Sequence, residues 1–106
     1  MIEFENECKK YDTALEEGKI KYANRAVHYI HKNYLILKEQ DRLHELIPLL
    51  ENDSLHVRIW TARYLLNVAT AQAERTLKQL ENVRRPGIGL SATVTLSEWK
   101  NGNLTF

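Results

Sequence analysis

The chain has 106 residues, about one domain's worth, and its 43% hydrophobic and 27% charged content is ordinary for a soluble globular protein. No apolar run approaches the roughly 20 residues of a membrane-spanning helix, and the one cysteine, Cys8, excludes an internal disulfide. Net charge is +1 but uneven: residues 1–53 carry 8 Lys+Arg against 11 Asp+Glu, and residues 54–106 carry 7 against 3. That polarity suits steering of an acidic partner toward the C-terminal half, and it falls short of the dense basic patch of a dedicated nucleic-acid binder.

In chain order, Phe4, Cys8, Tyr11 and Leu15 lie on one helical stripe, which Gly18 ends. Ile20, Ala23, Val27, Ile30, Tyr34 and Leu37 continue the pattern through a second, longer helix. A third is expected over 41–51, with Leu43, Leu46, Ile47 and Leu50 inward and a bend or restart at Pro48, which has no N–H to donate. Asp53 or Ser54 caps a fourth helix running to about Val68. Thr70 caps a fifth, with Ala73, Leu77 and Leu80 inward. Arg84-Arg85-Pro86-Gly87-Ile88-Gly89 reads as a turn whose Pro86 starts the last helix. That helix carries Ile88, Ala92, Leu96 and Trp99, and Gly102 caps it with Leu104 folding back. With only four glycines and two prolines, mostly at these boundaries, a sheet has little room. The expectation is a single all-α domain over residues 1–106, an α-α superhelix of about six antiparallel helices in three pairs.

The fourth helix spreads Leu55, Val57, Ile59, Ala62, Tyr64, Leu65, Leu66 and Val68 over more than half its circumference. A helix so apolar belongs between neighbours. Its narrow polar strip is His56, Arg63 and Asn67, bordered by Trp60.

Leu49-Leu50-Glu51-Asn52-Asp53-Ser54-Leu55-His56-Val57-Arg58, followed by Ala62 and Leu65-Leu66, resembles the core of a HEAT repeat. The family prefers Asp where Asn52 stands, and its arginine at the Arg58 position bonds the turn of an adjacent repeat. Thr95-Leu96-Ser97-Glu98-Trp99-Lys100-Asn101-Gly102-Asn103-Leu104 resembles the ending of small bacterial HEAT-like proteins of unknown function. The combined resemblance covers about residues 40–106. It implies a stack of three HEAT-like helix pairs with a concave inner surface that holds another protein. Stand-alone domains of this kind resemble immunity proteins, which neutralise a toxin domain by covering it, so the implied partner is a cognate toxin.

In that register the partner-binding surface collects Lys21, Asn24, His28 and His31 from the second helix. It adds His56, Trp60, Arg63 and Asn67 from the fourth, then Leu90, Thr93 and Ser97 from the sixth. Trp60 beside Arg63 has the composition of a binding hot spot, with packing under a neighbouring helix as its other role. His28 and His31 at i, i+3 lack a third ligand for zinc. No catalytic signature occurs, so neither enzyme activity, cofactor nor metal is expected. The alternatives are nucleic-acid binding through Arg58, Arg63, Arg75, Arg84 and Arg85, a regulatory adaptor, or an enzyme with scattered groups. The acidic start Met1-Ile2-Glu3-Phe4-Glu5-Asn6-Glu7 lacks the regions of a signal peptide, so the cytoplasm is the expected setting.

Overall fold

The computed structural model describes residues 3–106, whose elements are all helical. In order they are α1 (Glu3–Glu16), α2 (Ile20–Glu39), a 3₁₀ helix (Leu43–Glu51), α3 (Leu55–Leu65), α4 (Thr70–Leu80) and α5 (Ile88–Lys100). Successive helices pack together: α1 with α2, the 3₁₀ helix with α3, α3 with α4, and α4 with α5. No helix among the described residues is long and apolar enough to cross a membrane.

The helix ends follow from local chemistry. Gly18 and Gly102 take positive φ (70° and 73°). Behind each, the chain closes a Schellman turn: Lys19 N–H donates to the Ala14 carbonyl and Asn103 N–H to the Glu98 carbonyl. The same closure ends α2, where Arg42 N–H donates to the Leu37 carbonyl, but the left-handed residue is Asp41 (φ 56°). Among non-glycine residues Asp is one of the few that adopt this region readily.

Between Asp41 and Asn52 the expected α-helix is a 3₁₀ helix. Pro48 cannot donate and its ring crowds the carbonyl four residues back, so an α-helical ladder is interrupted there. Leu46 and Leu50 are still buried, so the apolar pattern survives the change of helix type. Of the two expected candidates, Asp53 and Ser54, it is Ser54 that caps α3, its Oγ accepting from Val57 N–H (3.3 Å). Thr70 does not cap α4. The cap position is Ala69, and the Thr70 hydroxyl turns back onto the Leu66 carbonyl (2.6 Å). Ile20, placed on the inward stripe by periodicity, is 59% exposed at the first turn of α2.

α3 is the centre. It packs against the 3₁₀ helix, α4, α1 and α5, and Val57, Thr61, Ala62 and Leu65 are fully buried. In the first pair, α1 lies along α3, whereas α2 reaches it through the rings of Tyr34 and His31 against Tyr64. Arg58 donates to the Asn52 carbonyl of its own turn, not to an adjacent pair. The tie to the first pair is made by Asn52, whose amide donates to Glu5 of α1 (2.9 Å).

Two substitutions have signs that run against simple expectation. A Cβ on Gly89 would lie 2.8 Å from the Glu81 carbonyl oxygen and 3.0 Å from that of Val83. Gly89→Ala should therefore destabilise by more than about 1 kcal/mol, although alanine is the better helix former by about that amount; equal or higher stability in urea unfolding would contradict this packing. The Thr61 hydroxyl is buried with no hydrogen-bond partner. Thr61→Val keeps the shape and removes that group, so it should raise stability by about 1 kcal/mol in the same measurement.

Candidate partner-binding groove

Residues of α3 at i, i+3, i+4, i+7 and i+8 (His56, Ile59, Trp60, Arg63 and Tyr64) floor a groove of about 400 Å³. Tyr11 and Leu15 of α1 and Val27 and His31 of α2 form one wall. Pro86, Gly87, Ile88, Ser91 and Thr95 form the other. The volume is within the range of preformed ligand and side-chain pockets.

Ties between distant parts of the chain flank the groove at both ends. At one end Arg85 donates through Nη2 to Asp12 (2.6 Å) and Glu16 (2.8 Å), one turn apart on α1. This fixes the turn before α5 against the first helix. His56 sits beside the cluster, Nε2 3.5 Å from Asp12 Oδ1. At the other end Arg63 donates to the Thr105 carbonyl (3.2 Å). Phe106 packs there against Tyr64, Tyr34 and Trp99, with ring centroids 6.4–6.5 Å apart.

Trp60 is half-buried. It meets Tyr11 edge-on (5.5 Å) and stacks on Tyr64 (6.3 Å), and its indole N–H has no partner. Both roles considered for it are therefore combined: it packs against the core and lines the groove. His31 Nδ1 and the Tyr64 hydroxyl share a hydrogen bond at 3.0 Å, and burial pushes the Tyr64 phenol up to about 12. Among the described residues no carboxylate lines the groove.

Of the residues expected on the partner surface, His31, His56, Trp60 and Arg63 come together here. Lys21, Asn24 and His28 are exposed further round α2, and Asn67 lies exposed beyond the end of α3; none lines the groove. Thr93 is exposed on the opposite side of α5, its hydroxyl donating to Glu81 (2.8 Å). Leu90 and Ser97 are also exposed outside the groove, where Ser91 and Thr95 stand instead. Tyr11 and Leu15 carry no sequence signal that sets them apart from core residues, since both continue the buried stripe of α1. Among the described residues no cluster of three or more potential metal ligands occurs.

Burial lowers the His56 pKa below the ordinary 6.5; Asp12 opposes this, and Arg85 adds to it. A histidine with a depressed folded pKa favours the native state while neutral. That contribution is present above about pH 6.5 and is lost as pH falls toward the folded value. NMR titration should place the His56 midpoint below 6.5, with Asp12→Asn lowering it further and Arg85→Gln raising it. A midpoint above 6.5 would show that Asp12 dominates.

Comparison of the chain with protein-family models, curated proteins and solved structures finds no match.

Proposed function

We propose that the protein is a non-catalytic binding module that holds another protein through the α3 groove. The observation that carries this reading is Trp60, half-buried and lining a preformed concavity next to Arg63. Aromatic and arginine side chains in such pockets dominate the energetics of protein interfaces. Among the described residues, the arginine that lines the groove is Arg63, which bonds a backbone carbonyl, and no acidic residue lines it. A segment of the partner that presents an apolar side chain flanked by a carboxylate fits this chemistry. Of the polar groups that line the groove, His31 is engaged by Tyr64, His56 faces Asp12, and the Thr95 hydroxyl donates to the Ser91 carbonyl.

Two of the arginines of the nucleic-acid alternative are already engaged. Arg58 bonds Asn52, and Arg85 bonds two carboxylates. The specific form of the proposal is an immunity protein that covers a toxin domain, and it rests on the resemblance to HEAT-like proteins.

The test uses the purified chain against products of the genes that flank its own, with Trp60→Ala and Arg63→Glu as variants. Each variant should weaken binding by at least about thirtyfold, the scale of a hot spot, and keep its helical circular dichroism. Trp60→Ala also costs about 2 kcal/mol of stability, because the indole packs on Tyr11 and Tyr64. Wild-type affinity in both variants would move the site off the groove. Rescue of growth inhibition by co-expression would establish the toxin-neutralising form; flanking products that inhibit nothing would remove that form alone.

A further inference from the structure

The outer face of α2 carries charges and rings that neither the fold nor the groove uses. Taking about 100° per residue, His28, Lys21, Lys32 and Arg25 form a stripe about 60° wide along the crest opposite the buried residues Ala23, Ala26, Ile30, Tyr34 and Leu37. Beside this stripe run Tyr22, Tyr29 and Ile36 at i, i+7 and i+14, exposed by 57%, 40% and 42%. Arg25 reaches over the Tyr22 ring and Lys32 over the Tyr29 ring, each 6.0 Å from the centroid.

Three features set this face apart from an ordinary solvated helix. Lys21, Arg25 and Lys32 make no ion pair with any described residue; Arg75, Lys78, Arg84 and Lys100 make none either, but the described cations that reach over exposed aromatic rings are Arg25 and Lys32. The helix holds one acid, Glu39, in its last turn. Its first turn has no acid, is entered through Lys19 and contains Lys21, although cations at a helix N-terminus oppose the helix dipole. Those positions cost stability, which is the mark of residues kept for another purpose. Finally, a concavity of about 370 Å³ opens beside Tyr22, lined also by Asn6, Lys9, Lys10, Thr13, Ala14 and the Lys19–Glu17 pair.

We infer that this face binds single-stranded nucleic acid, with phosphates along Lys21, Arg25 and Lys32 and bases on Tyr22 and Tyr29. A stacking surface beside a cationic track is the general solution for sequence-tolerant single-strand binding. The two rings stand about 10.5 Å apart along the axis, and the slot beside Tyr22 has room for an unstacked base. A duplex offers no free base faces to the rings. A membrane fits poorly, because the crest most distant from the core is charged, whereas an interfacial helix puts its apolar face into lipid. The inference is independent of the groove.

The test is fluorescence anisotropy with labelled oligothymidylate and oligouridylate of about a dozen nucleotides at about 20 mM salt. Both the site and its chemistry predict binding with a log–log salt slope of about −2, from three phosphates at about −0.7 each. Tyr22→Ala/Tyr29→Ala should weaken binding by about tenfold or more and leave the slope unchanged. Lys21→Gln/Arg25→Gln/Lys32→Gln should flatten the slope toward zero, while Arg75→Gln/Arg84→Gln, exposed cations elsewhere, should behave as wild type. No binding of either oligonucleotide overturns the inference. So does binding insensitive to the tyrosine pair, which would mark a polyanion surface, or binding to phosphatidylglycerol vesicles or polyglutamate that exceeds binding to the oligonucleotides.

Discussion

The side chain on which this structure most depends is Tyr64. Its ring stacks on Tyr34 of α2 at 4.3 Å, meets Phe4 of α1 edge-on at 5.9 Å, stacks on Trp60 at 6.3 Å and touches Phe106 at 6.4 Å. Its hydroxyl is taken up by His31. Both helices of the first pair, the central helix and the C-terminal segment therefore converge on one buried phenol. Aromatic pairs add a geometric preference to the area they bury, so the cluster fixes orientation as well as proximity. Without the His31 bond the buried hydroxyl would have to give up its water without replacement, which is costly.

That arrangement also shows what the sequence does and does not contain. The all-α class, the Ser54 cap, the stops at Gly18 and Gly102 and the central place of α3 were legible, because each depends on residues near one another in the chain. The apolar breadth of α3 is a direct statement that it has neighbours on several sides. Which neighbours it has is a different matter. Tyr11 and Leu15 continue the stripe of Phe4 and Cys8, and a period of 3.6 marks a buried face without saying that its far end forms a rim. Hence periodicity places the concave surface on α2, whereas α1 supplies half of that wall. Asp41 in the left-handed region and the 3₁₀ path through Pro48 were also beyond pattern reading, since both reflect how α2 must end for the 3₁₀ helix to meet α3.

Charge shows the same gap between sequence and space. Counted by halves, the positive end is C-terminal. In three dimensions three of the arginines of that half are tied to Asn52, Thr105 and the Asp12–Glu16 pair. Free cations also lie on α2, in the half that counts as acidic, because the acids of α1 pair locally with lysines of α1 and the following turn. Net charge of a segment sets the far field, but the charge available for contact is what remains after pairing.

The groove and the α2 crest meet at a single helix. His31 lines the groove and bonds Tyr64, while His28, almost one turn earlier, faces outward with Lys21 and Lys32. Rigidity on the inner side therefore has a consequence on the outer side. With α2 held to α3 by Tyr34 and His31, and the turn before α5 held to α1 by Arg85, neither surface has to be assembled when a partner arrives. A pre-organised surface loses little conformational freedom on binding, and this lets a chain of 106 residues offer two contact faces from one small core.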